Sequence, residues 1–343
     1  MEKVKLLLNS LIRDQSSQIL TRSKIKAAAS RLNFSETKKS FILLACSEIM
    51  TNQLKFATGA GIIQIWEHKS PEHALDIFGY DMGPGIENLS KAISDGYSTS
   101  NTLGHGLGSV IRSSDLCEIY TKNKKKDKKD IWTGTAVWCR FYPKTKKINP
   151  QKIKTGIFIR ALNDDIFNGD YIDFDITPEK ATWVHIDGLG HGKSAYKTGE
   201  IASEIAIDKL SPEKIIKTLN SNLLGKRMAN GLAISLDNKG NFIYSGYGDV
   251  AFKIFEGNPK LKSIHLQNKT IGENLMEINC NSSYVNNNNA LITFSDGIHS
   301  GWNLEHYPGL LNKHPQLAAY LLGNIFSRRN DDKSLFIAKY EKE

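Results

Sequence analysis

Acidic residues recur at the ends of apolar, strand-like runs in the second half of the chain. They are Asp170 in NGD, Asp187 in HIDGLGHG, Asp296 in FSDG, and Asp331 with Asp332 in NDD. Carboxylates that converge in this way suit hard cations such as Mg²⁺ or Mn²⁺, which take carboxylate and carbonyl oxygens plus water; two such ions activate a water and clamp a phosphoryl group. An Asp-Gly pair taken alone is a turn dipeptide, so neither DG is diagnostic by itself. HIDGLGHGKSA says more, because a strand ends in an acid, Gly188 lets the backbone approach an ion, and a helix begins soon after. His185, His191 and His299 lie near these acids. Imidazoles favour softer metals and the acids already suffice for hard ones, so the histidines read as shaping residues, with His191 the strongest candidate for a direct role.

The first half offers a different chemistry. Glu48 and Asn52 stand four apart in a stretch with helical spacing, which gives one face a carboxylate and an amide able to serve a metal-bound polyphosphate. A solvated pair has the same spacing. Downstream, Asp81 closes a strand-like run and opens DMGPG, where Gly83 and Gly85 would let the backbone come close to a flat ligand, as they would in a plain turn. Gly104, Gly106 and Gly108 then precede a helical stretch, so backbone N–H groups and a helix N-terminus are available to phosphate. Lys55 and Arg112 would neutralise phosphate, or serve equally well as surface charges.

The three elements in this order resemble the GHKL ATPase superfamily, most closely its bacterial anti-sigma-factor and switch-protein serine kinases, over residues 1–142. The resemblance implies a GHKL (Bergerat) α/β sandwich built on a mixed sheet with helices on one face. It makes Asn52 the Mg²⁺ ligand of bound ATP, Glu48 the general base, and Asp81 the partner of the adenine amino group. Gly83 and Gly85 fall in the next glycine box, and GYSTS with LGHGLG, Gly96 to Gly108, matches the ATP lid.

The acids of the second half resemble the metal-dependent type 2C (PPM) protein phosphatases, in the compact stage II sporulation E-like branch, over Lys154 to Tyr340. That resemblance implies two packed antiparallel sheets flanked by helices, and two Mn²⁺ or Mg²⁺ ions. Asp187 would bridge the ions, the Gly188 carbonyl would bind the second, and Asp296 and Asp331 would complete the first site. Asp170 corresponds to the early acidic motif, and Asp331 and Asp332 compete for the last ligand position. By resemblance the partner is a STAS-domain phosphoprotein of an anti-sigma pathway. A non-catalytic partner-switching scaffold is the alternative.

These residues need two frameworks to position them. At 343 residues, with 40% hydrophobic and 24% charged, the chain is sized for two domains that each bury a core. Ser35 reads as the N-cap of a helix over 35–57 with Phe41, Leu44, Ala45, Ile49 and Phe56 inward. GIIQIWEH and ALDIFGYD read as strands, and the lysine-rich KNKKKDKKD run, Lys122 to Asp130, as the tip of a hairpin. PKTKKINPQK, residues 143–152, is the linker, which leaves 1–142 and 153–343 as the two domains. Beyond it, strands and helices come in separate runs, an α+β arrangement, with Ser211 and Pro212 opening one helix.

The most concentrated source of the net charge of +9 is that lysine run, which no aromatics interleave, so nucleic acid is not expected. No apolar run is long enough to span a membrane and the charged opening is not a signal peptide, so the expectation is a cytoplasmic protein. Cys46, Cys117, Cys139 and Cys280 lie far apart and read as buried thiols, with neither a disulfide nor zinc.

Overall fold

The computed structural model describes residues 2–93, 106–123, 132–144, 151–190, 192–257, 261–274 and 277–342. They form two compact units, 2–148 and 149–343. Among the described residues no helix is long and apolar enough to cross a membrane.

The first unit opens with β1 (Val4–Ile12) and α1 (Gln15–Arg31), where the sequence shows only alternating apolar and basic runs. Asp14 starts α1 with a capping box, accepting the Ser17 N–H at 2.7 Å while the Ser17 hydroxyl accepts the Asp14 N–H at 3.0 Å. α2 (Glu36–Phe56) is capped by Ser35 as expected. β2 (Gly61–His68), β3 (Ala74–Tyr80), the short α3 (Leu89–Ile93), α4 (Gly106–Ser113), β4 (Leu116–Lys122) and β5 (Gly134–Phe141) complete the unit. The strands order as β1-β2-β3-β5-β4 and every neighbouring pair is antiparallel, so the sheet is not the mixed one implied by resemblance. β4 and β5 form the expected hairpin; most of the lysine-rich run between them lies outside the described residues.

Helices α1, α2 and α4 cover the sheet face that carries Ile63, Ile65, Leu75, Ile77, Val137 and Cys139. The inward stripe of α2 is Ile42, Ala45, Cys46, Ile49, Met50 and Gln53. Phe41, Leu44 and Phe56, expected inside, are 42%, 42% and 48% exposed. The run FILLAC is apolar all round, so its spacing alone cannot say which side meets the sheet. On the opposite face a buried ion pair joins β3 to β5. Asp76 accepts from Arg140 Nε and Nη2, both at 2.7 Å, and from Trp138 Nε1 at 2.8 Å, with the His68 ring at 3.0 Å. Cys117 and Cys139 are directly paired across β4 and β5 with their sulfurs 3.6 Å apart, and Cys280 is exposed, contrary to the expectation of four buried thiols.

The second unit contains β6 (Ile153–Arg160), β7 (Asp170–Ile176), β8 (Lys180–Gly188), α5 (Lys193–Ala202), α6 (Pro212–Leu223), β9 (Ala229–Asp237), β10 (Asn241–Tyr247) and β11 (Ala251–Phe255). It continues with β12 (Leu261–Ile264), β13 (Asn281–Tyr284), β14 (Ala290–Phe294), α7 (Pro315–Ile325) and β15 (Lys333–Tyr340). Two antiparallel five-stranded sheets result, β13-β10-β9-β8-β7 and β12-β11-β14-β15-β6. The short edge strands β12 and β13 carry no apolar alternation that would announce them.

Alternation along β8 explains the layers. Val184 and Ile186 face α5 and α6, in a cluster with Ile215, Ile216 and Leu219. Trp183, His185 and Asp187 face the other sheet, where Trp183 stacks on Phe336 at 5.0 Å between ring centroids. α7 covers the outer side of that second sheet: its Gln316 donates to the Ile157 carbonyl at 2.7 Å, and Gly323 lies so close to Phe158 that a Cβ there would fall 2.4 Å from the ring. The unit is an α-β-β-α sandwich, and the whole chain is α+β.

Candidate nucleotide and metal sites

The candidate nucleotide residues of the first unit are positioned from α2 outward. Gln53 donates to the Ile62 carbonyl at 2.9 Å and the Tyr80 carbonyl at 3.2 Å, which ties this turn of α2 to the strand ends. Gly61 makes room, since a Cβ there would lie 2.4 Å from the Gln53 side chain. Its neighbour Asn52 is half-buried and its Nδ2 would be 4.0 Å from a Cβ built on Gly106, the first residue of α4. Glu48 lies one turn earlier, also half-buried. The N-terminus of α4 and Asn52 are therefore brought together; Gly108 is buried in α4, while Gly104 and the GYSTS segment lie outside the described residues.

Asp81 sits at the end of β3, in a turn packed against the last turn of α2: a Cβ on Gly83 would meet the Phe56 carbonyl at 2.9 Å. Its Oδ1 accepts the N–H groups of Gly83 at 2.8 Å and Thr135 at 3.2 Å, and its main-chain carbonyl accepts Trp132 Nε1–H at 2.9 Å. Burial pushes the Asp81 carboxyl up and the two N–H groups pull it back. One oxygen, Oδ1, is thus fixed by the backbone. Gly85 has φ +78° and backs onto Lys122 and Asn123.

In the second unit Asp170 and Asp187 are directly paired across β7 and β8. Asp187 is pushed up to about 7, by burial first and then by the charges of Asp296, Asp331, Asp332 and Asp249. Asp331 is raised by burial and by Asp296. Gly297 allows this meeting, since a Cβ there would lie 1.8 Å from the Asp332 carbonyl, so the Asp296 turn rests on the backbone after Asp331. The buried Asp170 is raised by burial and by Asp187, and lowered by hydrogen bonds from Ser295 and Ser334. Gly188 donates its N–H to the Gly169 carbonyl at 3.1 Å, holding the two acid-bearing strand ends together.

The structure separates Asp331 from Asp332. Asp332 is 3% exposed and both its oxygens are taken, by the N–H of Leu162 at 2.7 Å and of Gly169 at 2.8 Å. Asp331 stays half-buried at the rim beside Asp296. Sequence reasoning missed Asp249, which follows Gly248 just after β10; a Gly-Asp pair at a strand end, as in Gly169-Asp170 at the start of β7, was the available signal. Gly248 packs against Asn230, the residue paired with Asp187 on β9, and this brings Asp249 into range. His185 is buried, His299 is exposed, and His191 lies outside the described residues.

The donor set fits hard divalent cations. The charges of Asp296, Asp331, Asp332 and Asp249 all oppose ionisation of Asp187, and carboxylates set against one another favour a hard cation. Among the described residues no three His, Cys, Asp or Glu side chains are gathered as a ready ligand set.

No family model matches the chain. Similar solved structures include RsbX in complex with magnesium, 15% identical, covering 57% of this chain and 98% of that one with a TM-score of 0.48. Another is the phosphatase domain with a regulatory fragment of SpoIIE from Bacillus subtilis, 15% identical, covering 96% of this chain and 95% of that one with a TM-score of 0.45. Among curated proteins, the serine/threonine-protein kinase RsbT of Bacillus subtilis (strain 168) is 37% identical over 111 residues, 30% of this chain and 83% of that protein. Through this N-terminal part, the chain belongs to the family of RsbT-type serine/threonine-protein kinases.

Proposed function

We propose that the second unit is a metal-dependent phosphatase that removes phosphate from serine or threonine of a regulatory partner. The observation that carries this reading is the acidic end of β8: Asp187 is directly paired with Asp170 and is pushed up by the charges of Asp296, Asp331, Asp332 and Asp249. Asp187, Asp296, Asp331, Asp170 and the Gly188 carbonyl would hold two Mn²⁺ or Mg²⁺ ions. When bound, the ions would supply Lewis acidity toward the phosphoryl oxygens and an activated water. The chain's own part is to hold Asp187 at the end of β8, directly paired with Asp170 on β7, and to keep Asp331 at the rim.

The first unit, residues 1–142 as the sequence divides them, binds ATP–Mg²⁺ in this reading, with Asn52 on the metal, Asp81 on the base, and Gly83, Gly85, Gly104, Gly106 and Gly108 around the nucleotide. Its kinship to a serine/threonine kinase favours phosphate transfer with Glu48 as the base that takes the hydroxyl proton. The shared partner is a STAS-domain phosphoprotein in the cytoplasm. Phosphate release from a phosphoserine peptide and from a phosphorylated STAS-domain protein, with Mn²⁺, Mg²⁺ or EDTA, tests the phosphatase. Metal-dependent release that disappears in Asp187→Asn supports it; no release under either metal leaves the partner-switching scaffold. For the first unit, loss of transfer from ATP in Glu48→Ala with nucleotide binding retained separates a kinase from a binding module.

A further inference from the structure

Behind the acid cluster, a chain of buried polar groups runs between the two sheets of the second unit. Trp183 Nε1 lies 3.3 Å from Thr293 Oγ1, and the same hydroxyl lies 3.0 Å from His185 Nδ1. On the other side of the ring His185 Nε2 is 2.7 Å from Ser334 Oγ. Ser334 Oγ reaches Asp170 Oδ2 at 2.7 Å, and Ser295 Oγ reaches the same oxygen at 2.5 Å. Ser295 Oγ in turn accepts the Ser334 N–H at 3.1 Å. Trp183, His185, Thr293, Ser295 and Ser334 are all fully buried, so every proton in this chain needs a partner within it.

With Asp170 ionised, as a cation ligand must be, and the ring neutral, the carboxylate end sets the direction of the bonds. An indole nitrogen only donates, so Thr293 Oγ1 accepts from Trp183 and its own proton goes to His185 Nδ1. A ring nitrogen that accepts carries no proton, so the imidazole proton is on Nε2, and Ser334 accepts it. Ser334 then has its hydroxyl proton to give, and a carboxylate, which only accepts, receives it. Asp170 Oδ2 therefore takes two hydroxyl protons, while its Oδ1 takes no hydrogen bond from the described chain and stands on the strand paired with Asp187.

We propose that His185, held as its neutral Nε2–H tautomer between Thr293 and Ser334, is a positioning residue that orients Asp170 so that Oδ1 is offered to a divalent cation. The inference rests on the reading of the acid cluster as a metal site. Hydrogen-bond partners behind a ligating group orient it, and their loss weakens metal affinity by about 10- to 100-fold.

Mn²⁺ binding to the full chain, followed by the paramagnetic resonance of free Mn²⁺, tests it in wild type, His185→Leu and His185→Gln, with thermal melting of each. Leu removes the relay; Gln keeps one donor and one acceptor. The expected result is about a 10- to 100-fold loss of Mn²⁺ affinity in His185→Leu, substantial recovery in His185→Gln, and an unchanged KM for phosphopeptide at saturating Mn²⁺. Wild-type affinity in a folded His185→Leu overturns the relay and leaves the metal site standing. A wild type that takes up no Mn²⁺ overturns the metal site itself, and the inference with it. The ring tautomer, read in the wild type by long-range ¹H–¹⁵N correlation, decides the case if the Leu variant does not fold: a proton on Nε2 supports the relay and a proton on Nδ1 overturns it.

Discussion

Asp332 accepts the N–H of Gly169 at 2.8 Å through one oxygen and the N–H of Leu162 at 2.7 Å through the other, so a carboxylate at the end of one sheet clamps the loop that leads into Asp170 on the other. Adjacent acids in NDD thus have different work. Asp332→Asn keeps one acceptor and sets an amide N–H₂ against a backbone N–H; it should cost about 1.5 to 3 kcal/mol, the scale of a hydrogen bond to a charged group. Asp331→Asn should leave stability nearly unchanged and cut Mn²⁺ affinity. Urea unfolding of both variants, beside Mn²⁺ titration, separates the two roles.

Asp187 gives a pH dependence whose sign follows from its raised carboxyl. Unfolded, the group titrates near its ordinary 3.8; folded, at about 7. The folded state therefore holds the extra proton between these values, and its stabilising contribution is complete below about 4 and lost as pH rises through about 7. In EDTA the wild type should lose stability relative to Asp187→Asn between pH 5.5 and 8. The comparison with the variant removes the opposing influence of His68 and His185, whose rings are depressed by burial and favour the folded state at the higher pH. Denaturation midpoints of both proteins across that range check the prediction, and added Mg²⁺ should abolish the wild-type slope.

The Asp76–Arg140 pair predicts a large structural cost away from either site. Asp76 is fully buried, and Arg140 with His68 holds its carboxyl well below the usual range despite that burial. Arg140→Ala would leave a buried charge without its main partner and should cost about 3 to 5 kcal/mol. Replacing both residues by apolar ones of similar size should cost much less. A double-mutant comparison by urea unfolding measures the difference.

Gly134 is not one of the residues assigned to the nucleotide, yet a substitution there should weaken ATP binding. Its φ is +143°, and a Cβ would sit 2.2 Å from the Asp81 carbonyl and 2.8 Å from Asp81 Oδ1. Gly134→Ala must displace Asp81, the residue assigned to the adenine. Titration with a fluorescent ATP analogue should show weaker binding than wild type, while Gly59→Ala, at an open positive-φ site, serves as the control for backbone strain alone.

What the sequence by itself determined are the features that local chemistry enforces. Ser35 and Ser211 cap helices because their hydroxyls satisfy free N–H groups one turn on. The strands Gly61–His68 and Lys180–Gly188 follow from β-rich runs, and Asp187 at a strand end is visible as an acid before a glycine. The E-x-x-x-N spacing is enough to place Glu48 and Asn52 on one side of α2.

Only the tertiary structure decided the matters that depend on what lies opposite. It chose which stripe of the all-round apolar FILLAC faces the sheet, made every neighbouring pair in the first sheet antiparallel, and built edge strands from the polar segments Leu261–Ile264 and Asn281–Tyr284. It assigned Asp332 to the backbone and Asp331 to the rim, brought Asp249 to Asp187, and enclosed His185 between Thr293 and Ser334. These residues are separated by tens to more than a hundred positions, and no local spacing records which buried donor will meet which acceptor once two sheets have closed on each other.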